Sequence, residues 1–200
     1  MKSFKISAVI FLCSIAFLDN IYAQSQDYVI TVAWDTIICN ISHPTFSQFP
    51  KYKTADMRKA KDIYLGAIKE YYLAKENILY RKVYTKAGKP FFCEYMSVVE
   101  KGKVNLYEKF KTIPRPNATA DELIEWYVAK GTDTVKLLKS SDHTLGAIFI
   151  KSREKRKNDF IEMISDNKEV YDKFLANDDL SFDKIRNLIH LYNTGEPLKN

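Results

Sequence analysis

Histidine, cysteine and glycine are all scarce in this 200-residue chain, and each scarcity removes a class of chemistry. The three histidines, His43, His143 and His190, are widely separated and offer no pair at metal-ligand spacing. No HExxH helix, paired CxxC motif or acidic calcium loop occurs, so no metal site is expected. The six glycines stand singly. A phosphate-cradling loop needs them clustered, and no nucleotide or other cofactor is expected. Nor is there a Gly-x-Ser-x-Gly elbow for a nucleophilic serine. Cys93 lies between Phe92 and Glu94, an apolar and an acidic neighbour, neither of which would activate a thiol.

Long apolar runs are equally rare. The one at residues 6–18 follows a basic Met-Lys-Ser-Phe-Lys start and precedes a small residue, Ala23, which is the pattern of a cleavable export signal. A bilayer-spanning helix needs about 20 apolar residues, and no segment approaches that. Cys13 sits inside the run behind the bulky Leu12, an unsuitable place for a lipidated cysteine. The expectation is a signal peptide at 1–23, cleavage after Ala23, and an exported chain without a transmembrane helix that works in the periplasm, cell envelope or outside the cell. Residues 24–200 are expected to form a single domain, with 24–138 mainly strands and 139–200 mainly helices. The formal charge of +6 falls to about +5 once Lys2, Lys5 and Asp19 leave with the signal. That is too dilute for the concentrated basic face of a nucleic-acid binder, so no nucleic acid is expected.

What is present is a folded composition, 46% hydrophobic and 14% aromatic, able to offset the entropy of ordering. Alternation predicts a first hairpin from strands at 28–33 and 36–42 about Trp34-Asp35, with Ile37, Cys39 and Ile41 on one face. Strands follow at 68–73, 77–85, 91–100 and 103–110, and on the third of these Phe91, Cys93, Tyr95 and Val99 share a face. Pro114 and Pro116 mark a linker over 112–120, after which 123–129 and 134–138 predict another hairpin. The period then becomes helical: Phe160, Met163 and Ile164; Val170, Tyr171 and Phe174; Ile185, Leu188, Ile189 and Tyr192. Ser181 is the predicted cap of the last helix, Leu180 and Ile185 a hydrophobic staple, and Gly195 its end. The predicted class is α+β, an antiparallel meander or partial β-barrel followed by about three short helices.

Candidate chemistry is thin. Cys39 and Cys93 are left by signal removal, and they are either one disulfide closing a loop of about 55 residues, stabilising by about 2–4 kcal/mol, or two separate buried thiols. Glu94 beside Tyr95 and Glu125 beside Trp126 are the acids a glycosidase would need, should they converge. Tyr71, Tyr72, Tyr80, Tyr84, Phe91, Phe92, Tyr95 and Tyr107 either fill a core or stack on sugars. Two basic clusters, Lys51, Lys53, Arg58, Lys59, Lys61 and Lys151, Arg153, Lys155, Arg156, Lys157, read as solvated faces or anion contacts.

Several stretches carry a resemblance: Asp27-Tyr28-Val29-Ile30-Thr31 with Asp35-Thr36-Ile37, then Ile68-Lys69-Glu70-Tyr71-Tyr72, then Gly102-Lys103-Val104-Asn105-Leu106-Tyr107, and a weaker echo in Leu191-Tyr192-Asn193. In order and spacing they are similar to uncharacterised exported proteins of Bacteroidota, over residues 27–110. Trp34 stands here in place of the usual glycine before the Asp-Thr pair. The resemblance implies export and a β-rich start and transfers no catalytic residue. The expected function is therefore a non-enzymatic binding or structural component of the periplasm or envelope, its partner an envelope protein, a glycan or an anionic surface. The alternative is a small hydrolase of envelope carbohydrate working through Glu94 and Glu125.

Overall fold

The computed structural model describes residues 26–43, 49–89, 91–115, 118–141, 152–177 and 179–199. The expected signal at 1–23, together with His143, Lys151 and Pro116, lies outside the described residues. Strands β1 (Tyr28–Thr31) and β2 (Thr36–Ile38) form the predicted hairpin, pairing Tyr28 with Ile38 and Ile30 with Thr36. Thr31 shapes the turn, its hydroxyl accepting the N–H of Ala33 and of Asp35 at 3.2 Å each. Trp34 takes φ 70°, a left-handed conformation that costs a residue with a Cβ about 1–2 kcal/mol.

The strand predicted over 36–42 divides at Cys39. Beyond it β3 (Asn40–Ser42) leaves for a second sheet with β4 (Lys51–Lys53) and β5 (Lys61–Asp62), in the order β3-β4-β5. The last two escape sequence reading because Lys-Tyr-Lys offers one apolar residue, Tyr52, and Lys-Asp none. Cys39 still faces the core with Ile37 and Ile41 packed beside it.

The remaining strands are β6 (Ile68–Leu73), β7 (Ile78–Tyr84), β8 (Cys93–Glu100), β9 (Val104–Arg115), β10 (Ala118–Lys130) and β11 (Lys136–Ser140). They complete an antiparallel sheet of eight strands ordered β11-β10-β9-β8-β7-β6-β1-β2. Two expectations need correction here. Phe91 and Phe92 precede β8 and belong to the β7–β8 turn. The linker predicted at 112–120 is instead the distal part of a long hairpin, in which Thr112 pairs with Glu122 and Arg115 with Ala118. The register shifts between Ala118 and Asp121, opposite the segment holding Pro114, and a bulged ladder is where a strand tolerates proline. The sheet is open but curled. Tyr84 forms a parallel bridge with Thr134, donating its N–H to the Asp133 carbonyl at 2.8 Å and accepting that of Val135 at 2.9 Å.

Three helices follow: α1 (Arg153–Ile164), α2 (Lys168–Asn177) and α3 (Phe182–Thr194). The fold is α+β. Tyr71, Tyr80, Ser97, Glu108 and Trp126 pair directly across five strands, so they share one face of the sheet. Two layers cover that face. At the β9–β11 end the helices bury Phe160, Ile164, Ile185 and Ile189 against Val104, Leu106, Val128 and Leu138. At the β1–β6 end the small sheet and its connections bury Tyr52 and Ile63 against Val29, Ile68 and Tyr71.

The helical faces are those the periodicity predicts, with Leu191 buried in addition. Ser181 occupies the N-cap position of α3, yet its hydroxyl makes no capping bond; its amide donates to Asp179 at 2.9 Å. Ser152 caps α1 instead, accepting the Lys155 N–H at 3.2 Å. Gly195 ends α3 at φ 79°, its N–H bonding Leu191 O at 2.8 Å.

Two fasteners tie helices to sheet. Asn193 bonds both backbone groups of Val104, at 3.0 and 2.8 Å, against Gly102, where a Cβ would come within 2.3 Å of the Asn193 side chain. Lys130 donates to Met163 O at 2.8 Å and to Asp166 at 2.7 Å, and Tyr192 donates to the same carboxylate.

Candidate functional site

The opposite face of the sheet, on the inside of its curl, buries Val83, Met96, Tyr107, Tyr127, Ala129 and Val135 and carries the buried ionisable groups. Alternation along β6 and β7 turns Glu70 and Arg81 to this face as direct register partners, and Arg81 Nε donates to Glu70 Oε1 at 2.7 Å. Their side chains are 11% (Arg81) and 5% (Glu70) exposed. Arg81 also lies 3.4 Å from the hydroxyl of the fully buried Tyr107. Burial pushes the Tyr107 hydroxyl above its usual pKa, an effect that Arg81 partly offsets. For Arg81 itself burial opposes the charge, but Tyr107 and Glu70 outweigh it and the guanidinium is held more firmly protonated than usual. The trio escaped sequence reading. Glu70 and Arg81 flank the 74–77 turn at equal register, which is the signal that would have found them.

Glu94 and Glu125 do come to one region. Tyr127 donates to Glu125 at 2.7 Å, and both carboxylates raise its hydroxyl further after burial itself. Each is already engaged by an ammonium: Lys109 pairs with Glu94, and Lys111 with Glu125 at 2.6 Å. Neither acid lines either of the two cavities described next.

The larger cavity, about 700 Å³ and open to solvent, lies between the small sheet and the 74–77 turn. Asp27, Cys39, Asn40, Lys53, Thr54 and Lys75 are among its lining residues. Asp27 is a structural anchor there, one oxygen accepting the Ile41 N–H at 2.8 Å and the other that of Ala74 at 2.9 Å. The smaller, about 170 Å³, lies where α2 meets α3, beside Phe174, Leu188 and the Lys184–Asp179 ion pair.

Neither described cysteine is in a disulfide. Cys39 follows β2 and Cys93 opens β8, with β1, β6 and β7 between those strands in the sheet. At about 4.8 Å per strand spacing that separation exceeds the roughly 4.4–6.8 Å Cα distance of a disulfide. Burial, with Asp27 nearby, pushes the Cys39 thiol up to about 11.

The basic clusters do not gather into a site. Lys51 is held by Asp62 at 2.9 Å, while Lys53, Arg58, Lys59 and Lys61 are exposed. In the second, Arg153 and Lys155 are exposed and Arg156 and Lys157 half-buried at the start of α1. Among the aromatics Tyr71, Tyr95 and Tyr107 serve the interior: Tyr71 stacks on Tyr80 at 4.7 Å and meets Tyr95 edge-on at 5.1 Å, whereas Phe91 and Phe92 are exposed. His190 sits 3.3 Å from Glu100. Among the described residues no group of three or more histidine, cysteine or acidic side chains is placed to hold a metal ion, and no helix is long and apolar enough to cross a membrane. Comparison with family models, characterised proteins and solved structures returns no match.

Proposed function

We infer that this protein is exported and acts by binding, as a component of the periplasm or cell envelope, rather than by catalysis. One observation carries the reading: the buried ionisable groups of the sheet are engaged with one another, Glu70 with Arg81 and Glu125 with Tyr127 and Lys111. Groups held this way stabilise a scaffold, and the carboxylates that line the two cavities are themselves engaged, Asp27 by two backbone N–H groups and Asp179 by Lys184. The apolar run at 6–18 and the likeness to exported Bacteroidota proteins support the location. Expression of the full chain, cell fractionation and N-terminal sequencing test it. The expected result is a chain beginning at Gln24 in the periplasmic or envelope fraction; intact precursor in the cytosol would overturn export.

A second reading, hydrolysis of envelope carbohydrate, is favoured by the approach of Glu94 and Glu125 to Tyr127. Release of reducing ends from envelope polysaccharide, abolished in both Glu94→Gln and Glu125→Gln, would establish it and displace the binding reading. Equal release by all three proteins, or none, would remove it.

A further inference from the structure

Antiparallel pairing sorts the connections of the large sheet between its two ends. Thr31 pairs with Ile68, and β7 runs from beside Leu73 toward that same end. The β1–β2 turn, the loop entering β6 and the β7–β8 turn are therefore neighbours. Val32 N–H bonds Ala67 O at 2.9 Å, Lys82 Nζ reaches Leu65 O at 3.0 Å, and Thr85 N–H bonds Phe92 O at 2.8 Å.

These turns expose Val32, Trp34, Tyr64, Phe91 and Phe92, the indole by 64% and Phe91 by 96%. Trp34 holds its left-handed φ at the tip of the first turn, where glycine would sit without strain. Cations accompany the rings: Lys69 Nζ lies 3.7 Å over the Trp34 ring and Lys86 Nζ 4.0 Å over that of Phe92, with Lys82 and Lys89 close by in sequence. The acids near this end are engaged by lysines or sit in the first turn: Asp133 lies 3.9 Å from Lys69, Glu94 pairs with Lys109, Asp62 pairs with Lys51, and Asp35 is in the first turn. Residues 84–93 contain none.

We propose that this end of the sheet is a docking edge for an anionic lipid bilayer surface. The inference rests on the envelope location read above and names the partner. The apolar groups stand exposed on three separate turns and line neither of the two cavities, so they offer wedges rather than a groove for a protein segment. Tryptophan and tyrosine settle at the headgroup level, and phenylalanine inserts beyond it. Lysines beside them meet lipid phosphates with their stems on apolar surface.

The test uses the exported chain with vesicles of equal parts phosphatidylglycerol and phosphatidylcholine, against pure phosphatidylcholine. Of the two tryptophans, Trp126 is buried and bonded to Glu108, so a blue shift of emission on vesicle addition reports Trp34. Expected are co-sedimentation with the anionic vesicles, that blue shift, and loss of affinity by about tenfold or more in Phe91→Ser/Phe92→Ser. Lys86→Glu/Lys89→Glu should weaken binding to anionic vesicles only, and added salt should do the same. Unchanged circular dichroism and thermal midpoint would exclude misfolding of either variant. No partition into anionic vesicles at low salt, equal partition by the serine variant, or crosslinking of this edge to an envelope protein without vesicle binding would overturn the proposal. A periplasmic chain that ignores vesicles would defeat docking and leave export standing. A chain that partitions in vitro yet remains an intact precursor in the cytosol would do the reverse.

Discussion

The same face of one sheet is covered twice, and the two covers differ in kind. Under the helices lie fifteen buried apolar residues, among them Phe160, Ile164, Ile185 and Ile189 with essentially no exposure. Under the small sheet lie seven, two of them tyrosines and one a cysteine, beside an open cavity. Burial contributes about 25 cal/mol per Å² of apolar surface, so the helical half holds most of the stability. The small-sheet half is held by fewer, more directional contacts, and two of the four exposed rings of the proposed docking edge, Trp34 and Tyr64, stand on its turns. The difference teaches that anchoring and exposure are separated along the sheet, from β11 to β2.

The strongest way to break that distinction is to empty each core in turn. Phe160 meets Phe174 edge-on at 5.0 Å inside the helical layer. Phe160→Ala should lower global stability by about 3–5 kcal/mol in urea titration, with fluorescence and circular dichroism midpoints falling together. Ile63→Ala should instead loosen the small sheet while the helical signal persists; a coincident global loss from Ile63→Ala would erase the contrast. Next in size is Arg81→Ala, which strands Glu70 in the interior at a cost of about 3 kcal/mol, whereas Glu70→Leu/Arg81→Met should recover most of it. Calorimetry of the three variants decides whether that pair is a fastener. Asp27→Asn should cost about 1.5–3 kcal/mol, because an amide cannot accept both N–H groups with two oxygens. Faster exchange of the Ile41 and Ala74 amides, with the helices unchanged, is the expected signature.

The smallest effect is one of pH. Hydrogen bonds from Lys130 and Tyr192 hold the Asp166 carboxyl below its usual range. A carboxyl depressed in the folded state stabilises at pH above its unfolded value, about 3.9, and the contribution is lost as pH falls through the folded value. Asp166→Asn should therefore be less stable than the wild type at neutral pH, and the gap should close in acid. A gap independent of pH would show that Asp166 does not act through its charge.

Much of this was legible in the sequence where one period rules a segment. Ile68–Leu73 is the strand that alternation predicts, and Ile185, Ile189 and Tyr192 face the sheet as helical spacing demands. Legibility failed where tertiary pairing overrules local signals. Pro114 reads as a break, yet the β9–β10 ladder carries the chain past it. The step from β2 to the second sheet takes one residue, Cys39, and leaves no mark in composition. Of the candidate groups, Glu94 and Glu125 were visible as residues, but the lysines that engage them belong to a strand between them. In the stretches 27–31, 102–107 and 191–193, Asp27, Gly102 and Asn193 do the work of fastening. Residues that fasten backbone to backbone carry no mark of a reaction.

Native-state hydrogen exchange of the protein, read amide by amide, tests the separation of anchor from exposed edge most directly. Slow amides in β9, β10 and α3 should exchange only through global unfolding, while those of β3, β4 and β5 open at distinctly lower free energy. Equal protection in the two halves, or greater protection in the small sheet, would contradict the account.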